Sequence, residues 1–107
     1  MNKFIKWISL NILRNDVTSA VLLEAFLEFE NGIVFGKIYS ISKTRFRMLV
    51  ACDSTGMHRT SKKILVNIEG KYFAATVKLT GKNHFEGTFK DFPESDHKEF
   101  VRRFSVS

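Results

Sequence analysis

Apolar and polar residues alternate along most of this chain from residue 21 onward. A period of two is typical of half-buried β-strands, because successive side chains point to opposite faces of a sheet. In the first run one face is apolar and the other carries glutamates. The apolar positions of that run are Val21, Leu23, Ala25, Leu27 and Phe29. Together with further runs at residues 33–40, 45–50, 64–68, 72–80 and 84–90, the pattern predicts six strands.

Short polar segments separate most of these strands. Asn31-Gly32 predicts a hairpin turn with positive φ at both residues, and residues 69–70 and 81–83 are short enough to join antiparallel neighbours. The long interruption at residues 51–63 is polar and predicts a loop. Six strands in one small domain favour a closed barrel or a sandwich, because an open sheet would leave its edges and one face exposed.

The start of the chain has a helical period rather than a strand period. Phe4, Ile5, Ile8 and Ile12 recur with helical spacing, with Trp7 and Leu10 beside them. We therefore predict a short amphipathic helix over residues 2–13, within an N-terminal segment of residues 1–14. We expect this helix to pack against the body of the protein or against a partner copy. Its β-branched residues leave a strand as the alternative.

A second helix is predicted after the last strand, over residues 92–104. Pro93 is tolerated in a first helical turn, and acidic residues early with basic residues late suit the helix dipole. One stripe of this helix should pack on the barrel. The stripe consists of His97, Phe100, Val101 and Phe104.

Length and composition are those of one domain, residues 1–107. Phenylalanine occurs 11 times and supplies bulk for a core with few polar groups to satisfy. The single cysteine, Cys52, excludes an internal disulfide framework and is compatible with a reducing compartment. Because the chain has neither a signal-peptide pattern nor an apolar run of about 20 residues, we expect a cytoplasmic protein without a membrane span.

The net charge of +6 is unevenly distributed. Basic residues are in excess between residues 37 and 90, whereas acidic residues gather at 16–30 and 91–99. A basic surface would attract phosphates or an acidic partner, with a strength that salt reduces. The alternative is that these lysines serve solubility on strand faces.

Residues for catalysis or metal binding form no recognisable pattern. His58, His84 and His97 lack the spacing of metal ligands, and Cys52 has no neighbouring base. The DSTG segment at residues 53–56 is similar to the DTG triplet of aspartic proteases, but its glycine comes one place late, and we interpret it as a turn. We therefore predict no catalytic residue, no metal and no cofactor.

The second strand ends in hydroxyls beside cations, at Ser40, Ser42, Lys43 and Arg45. Such groups can hold a phosphate, and they also occur at ordinary solvated strand ends. Aromatic residues interleave with the basic ones, as single-stranded nucleic acid binding requires. However, Phe46 alternates with Arg45 and Arg47 and therefore faces the other way, so we expect it in the core, as we do Phe73 beside Lys71.

The order of these elements, with the final run FEGTFKDFPESDHKEFVRRF, resembles the PilZ domain of bacterial cyclic di-GMP signalling. The resemblance covers residues 14–104 and implies a six-stranded antiparallel β-barrel with a C-terminal helix. The family binds its dinucleotide through RxxxR and DxSxxG motifs. Here Arg14 stands alone, and of the second motif only Ser42 matches. Ser40 replaces the acid, and Arg45 replaces the glycine.

The departures from these motifs bear on function, because each charged hydrogen bond lost costs about 1.5–3 kcal/mol. We therefore predict a non-enzymatic adaptor or regulator that acts by protein–protein contacts, with Trp7 and Arg47 as candidate partner-binding residues. One alternative is a cyclic di-GMP receptor with a modified site. Its candidate ligands are Arg14, Ser40, Ser42, Lys43 and Arg45. The other alternative is a nucleic-acid-binding barrel, since FLEFENGIVFGKIYSI is similar to the first motif of Sm-like proteins.

Overall fold

The strands of this protein close into a barrel. The computed structural model describes residues 17–30, 32–51 and 62–106. The elements are β1 (Ser19–Phe29), β2 (Gly32–Ile41), β3 (Arg45–Val50), β4 (Lys62–Ile68), β5 (Lys71–Gly81), β6 (His84–Phe89) and a helix, α1 (Glu94–Phe104). All neighbouring strands are antiparallel, in the closed order β1-β2-β3-β6-β5-β4. The predicted fold class is confirmed.

Three predictions fall outside the described residues. They are the N-terminal helix at residues 2–13, which includes Trp7, the arginine Arg14, and the part of the long loop that contains Cys52. The loop is nevertheless shorter than predicted, because β4 already begins at Lys62. The first turn is also shifted by one residue. Phe29 pairs with Gly32, so residues 30 and 31 form the connection.

The turn between β4 and β5 has the geometry expected of a tight hairpin. Glu69 and Gly70 have φ values of 50° and 89°, as the two central residues of a type I′ turn require. Asn67 is buried beneath this turn, and its Oδ1 accepts a hydrogen bond from the backbone N–H of Gly70 at 3.0 Å. The predicted turn at residues 69–70 is thus confirmed, with a buried side chain supporting it.

Phenylalanine rings fill one end of the barrel and continue into the helix. Phe46 and Phe73 are buried, as their place in the alternation predicted. Phe89 joins them, with ring centroids 5.0 Å from Phe46 and 6.1 Å from Phe73. Phe92, just after β6, stacks on Phe89 at 4.1 Å and contacts Phe100 of α1. Aromatic packing therefore joins the barrel interior to the helix.

The helix packs on the barrel through the predicted stripe. Phe100 is buried, and Val101 and Phe104 pack against the core. Pro93 occupies the position just before the first helical residue rather than a place in the first turn. On the outer side, Arg102 donates hydrogen bonds to both carboxylate oxygens of Glu99, at 3.0 and 2.9 Å. These bonds hold the pKa of Glu99 below its usual value.

The backbone after the helix is fastened to the first strand. The N–H of Val106 donates to the carbonyl of Ala20 at 3.0 Å, and Ser105 forms a β-bridge with Val21. The end of α1 therefore lies against the start of β1.

Gly87 lets β6 pass close to a core ring. A Cβ added at Gly87 would lie 2.1 Å from Cζ of Phe46, which is buried and packed on both sides. We predict that Gly87→Ala lowers the free energy of unfolding by about 1–3 kcal/mol, because overpacking forces core side chains off their rotamers. Chemical denaturation of both proteins measures the difference.

Gly81→Ala is the matched control for this substitution. A Cβ at Gly81 meets nothing closer than the Cβ of His84 at 3.4 Å, so it should leave stability almost unchanged. Equal unfolding midpoints for the two variants would show that the Phe46 ring yields without cost and that the core is not tightly packed at this point.

Candidate functional site

A β-bulge shapes the end of β2 that the sequence singled out. Ile38 pairs with Met48 and Ser40 pairs with Arg47, so Tyr39 is an extra residue on the β2 side. Bulges of this kind turn two successive side chains to the same face of a sheet. Tyr39 and Ser40 therefore both lie on the outer face of the barrel. Strict alternation would have sent one of them inward.

A small polar pocket lies beside this bulge and contains four of the predicted site residues. Its volume is about 150 Å³. Side chains from β2, β3 and β6, from the turn between β2 and β3 and from the residue before β1 line it, namely Thr18, Ser40, Ser42, Arg45, Phe46, Arg47 and Glu86. The structure thus brings Ser40, Ser42 and Arg45 together, as predicted. Lys43 is not part of this lining, and its Nζ lies 3.7 Å from a carboxylate oxygen of Glu94 at the start of α1.

The Ser42 hydroxyl is engaged by its own turn. Its Oγ accepts hydrogen bonds from the backbone N–H groups of Thr44, at 3.3 Å, and Arg45, at 3.0 Å. It also lies 3.3 Å from the carbonyl oxygen of Arg45, to which it donates. Serine hydroxyls commonly close turns in this way. With three backbone contacts and only 2% of the residue exposed, Ser42 supports the β2–β3 turn rather than presenting its hydroxyl to a ligand.

Glu86 brings a negative charge into the pocket, a feature that the sequence reasoning missed. β3 pairs with β6, and in their register Arg47 lies directly opposite Glu86. Opposite charges at such positions attract weakly, by about 0.2–1 kcal/mol. The carboxylate would also repel a phosphate entering the same pocket. No pattern along the sequence shows that these two strands are neighbours, so Glu86 could not be found from periodicity.

Cations dominate the outer face around this pocket. We call the following set the basic face: Arg45, Arg47, Lys63, Lys78 and Lys90. All five are exposed. Most of them lie in two rows of residues that are paired across neighbouring strands. One row runs from Arg47 on β3 through Glu86 on β6 to Lys78 on β5, and the other runs from Arg45 to Lys63 through the paired residues Thr88 and Thr76. Among the outward positions described on β3, β4, β5 and β6, Glu86 is the only acid.

A second groove lies within the basic face. Lys63 and Lys90 line it together with the paired threonines Thr76 and Thr88, and its volume is about 390 Å³. Hydroxyl groups between cations suit a partner that carries negative charge and hydrogen-bond acceptors.

The outer face of β1, β2 and β3 has the opposite character. Leu22, Phe35 and Leu49 are more than half exposed, at 52%, 65% and 53%. They line a groove of about 470 Å³, which we call the apolar groove, together with Tyr39 and others. An apolar surface of this kind usually marks an interaction site. Sequence reasoning missed it because alternation separates two faces without showing which strands lie side by side.

A hydrogen-bonded histidine lies at the border of the two faces. The hydroxyl of Tyr39 lies 2.5 Å from Nε2 of His84, and the hydroxyl of Thr80 lies 2.5 Å from Nδ1. His84 is the first residue of β6, and its ring links β2, β6 and β5. No group of three histidine, cysteine or acidic side chains among the described residues could hold a metal ion.

Comparisons of the chain with protein families, with characterised proteins and with solved structures found no match. The PilZ relationship therefore stays a prediction. Among the residues that the structure describes, no helix is long and apolar enough to cross a membrane.

The role of Ser42 can be tested by removing its hydroxyl. We expect Ser42→Ala to lower the free energy of unfolding by about 0.5–1.5 kcal/mol, the usual net value of an intramolecular hydrogen bond. Chemical denaturation measures the change. Ser95→Ala, at an exposed helix position, is the control and should be close to neutral. A Ser42→Ala protein as stable as the native one would contradict a structural role for this hydroxyl.

Proposed function

We propose that this chain is a non-enzymatic, PilZ-like binding domain that acts by protein–protein contacts, through the basic face. The observation that carries the proposal is the segregation of charge on the barrel. The basic face presents exposed cations from β3, β4, β5 and the residue after β6, against the single carboxylate of Glu86 among its described outward positions. A patch of one sign steers an oppositely charged partner and sets its orientation.

An acidic protein surface suits this face better than a small ligand does. Pockets that enclose small molecules and cofactors usually measure about 300–1,000 Å³. The polar pocket, which contains three of the predicted ligand residues, measures about 150 Å³, and Glu86 places a negative charge in it. The groove between Lys63 and Lys90 measures about 390 Å³ and lies within that range, but it contains none of the predicted ligand residues. By contrast, the rows from Arg47 to Lys78 and from Arg45 to Lys63 extend over three and four strands. Strands lie about 4.8 Å apart, so the longer row spans about 14 Å. Cations spread over that distance suit an extended acidic surface.

The test is affinity capture from an extract of the native cell, with a charge-reversed variant. Because two cations of the basic face become acids, we expect the double variant Arg47→Glu with Lys78→Glu to lose most of the partner that the native protein recovers. Recovery by the native protein should also decline as salt rises, since exposed charges are screened over about 8–10 Å at physiological ionic strength.

Lys37→Glu combined with Lys71→Glu is the matched control, because it changes the net charge by the same amount away from the basic face. Lys37 lies beside Glu24 and Lys71 beside Asp96. If both double variants recover the partner equally well, or if neither does, the basic face is not the contact surface.

The second candidate is a cyclic di-GMP receptor with a modified site. One observation favours it, since the polar pocket brings Ser40, Arg45 and Arg47 together beside the residues that precede β1. If this function were correct, calorimetry with the dinucleotide would give micromolar or tighter binding at physiological salt, and Arg45→Ala would weaken it. We expect no such binding, because Ser42 is engaged by its turn and Glu86 repels phosphate.

A nucleic-acid-binding function has less support on this surface. Single-strand binding combines cations with exposed rings on which bases stack. On the basic face, Phe46, Phe73 and Phe89 all point into the core. A mobility shift with short single-stranded RNA or DNA that declines steeply as salt rises would nevertheless favour this alternative over the protein partner.

A further inference from the structure

The apolar groove is large enough to bind a segment of protein. Its volume of about 470 Å³ lies within the usual range of binding sites. Gly36 belongs to its lining and brings the backbones of β2 and β3 close, since a Cβ there would lie 2.1 Å from the carbonyl oxygen of Leu49. The exposed side chains of Leu22, Phe35 and Leu49 border the groove.

Aromatic rings continue this apolar surface across β1 toward β5. Phe26 of β1 contacts Phe35 of β2, with ring centroids 5.5 Å apart, and Tyr72 of β5, with centroids 5.9 Å apart. Phe35 and Tyr72 are 65% and 55% exposed. The surface is therefore an elongated strip along and across β1, rather than a single exposed side chain of the kind that needs no explanation.

Acidic residues border the strip. Glu24 and Glu28 lie at outward positions of β1 on either side of Phe26, and both are exposed. The nearest cation described there is Lys37, whose Nζ lies 3.5 Å from a carboxylate oxygen of Glu24. An occupant of this strip should therefore be apolar along one side and positively charged at its border.

Residues 2–13 of this chain have that composition. They carry the apolar stripe of Phe4, Ile5, Ile8 and Ile12 with Trp7 beside it, and their charged residues are Lys3 and Lys6. This segment also joins the barrel at the right place, since only residues 14–16 separate it from Val17, just before β1.

The length of residues 2–13 and of their connection to β1 is sufficient for this segment to reach the apolar strip. A helix of twelve residues is about 18 Å long, and a three-residue connection can span about 10 Å. Leu22 lies five residues beyond Val17, or about 16 Å along an extended strand, and Phe26 lies about 13 Å further. A helix that returns along β1 therefore reaches both Leu22 and Phe26, and its lysines come level with Glu24.

We infer that residues 2–13 occupy the apolar groove and the aromatic strip of the same molecule, with the apolar stripe against Leu22, Phe35 and Leu49 and with Lys3 and Lys6 toward Glu24. This inference concerns the apolar groove rather than the basic face, and it does not depend on the acidic protein partner proposed above. It assigns an intramolecular occupant to the apolar groove.

Trp7 is the only tryptophan of the chain, so its fluorescence reports on this segment alone. In the full chain we expect emission at a wavelength typical of a partly buried indole and partial protection from quenching by acrylamide. The double variant Phe35→Ser with Leu49→Ser should shift the emission to longer wavelength and increase the quenching, because the segment loses its apolar contact. Far-UV circular dichroism establishes that the variant is folded.

Val106→Ser is the control, because Val106 is exposed to a similar degree, 54%, and does not line the apolar groove. It should leave the Trp7 emission unchanged. An emission that is already water-like in the native protein, or one that the groove variant does not change, would overturn the inference.

A variant of the segment tests the same contact from the other side. Ile8→Asp should shift the Trp7 emission in the same direction and increase the binding of an apolar dye, because the uncovered groove becomes available. Adding Phe35→Ser and Leu49→Ser to that variant should abolish the extra dye binding. Unchanged dye binding by Ile8→Asp would contradict the inference even if the groove variant failed to fold.

Dilution separates the intramolecular contact from exchange between two copies. The Trp7 emission of a segment bound to its own barrel does not depend on protein concentration, whereas an intermolecular contact weakens on dilution. We expect no dependence. A shift to longer wavelength at low concentration, with a matching change in size by gel filtration, would assign the groove to a second copy and overturn the proposal.

Discussion

Closure of the barrel is the constraint on which the other features of this protein depend. Each of the six strands has a hydrogen-bonded neighbour on both sides, so no strand of the sheet is an edge strand along its whole length. The interior is then filled by the inward-facing side chains of each strand, and their packing determines which residues fit at individual positions. Gly87 is one consequence, because the Phe46 ring occupies the space where a side chain of β6 would point. Any function must therefore use outward positions, turns and segments beside the barrel.

The outward positions divide into two surfaces of contrasting chemistry. The basic face lies on β3, β4, β5 and the residue after β6, whereas the apolar groove lies on β1, β2 and the far end of β3, with Glu24 in its lining. Tyr39 lies at the boundary, where the bulge in β2 turns it outward and its hydroxyl meets His84. Because the two surfaces would recognise different chemistry, one can contact a partner while the other holds a segment of the chain itself.

Sequence periodicity was sufficient for the strands, the C-terminal helix and the buried positions of Phe46, Phe73 and Phe100, because each depends on local alternation or helical spacing. It could not show which strands are neighbours. The pairing of β3 with β6, which brings Glu86 opposite Arg47, follows from closure and from the packing of the whole core. The bulge at Tyr39 and Ser40 was also hidden, since a single extra residue in a strand leaves the apolar pattern almost unchanged. For the same reason, the sequence predicted that Ser40, Ser42 and Arg45 lie together in the polar pocket, but it did not predict that Glu86 lies there too.

The hydrogen bonds of Ser42 show why one matching residue in a ligand-binding motif is weak evidence that the ligand binds. Ser42 is the position at which this chain agrees with the dinucleotide-binding motif it resembles, yet its hydroxyl contacts the backbone of the turn between β2 and β3. Removing a buried hydrogen-bond partner costs stability whether or not a ligand binds, so a turn alone is a sufficient reason for serine at this place. At the other two positions of the motif this chain has Ser40 in place of the acid and Arg45 in place of the glycine. The charged side chains that line the polar pocket are therefore Arg45, Arg47 and Glu86. Because the pocket is small, we expect these three residues to recognise a partner by its charge rather than by enclosing part of it.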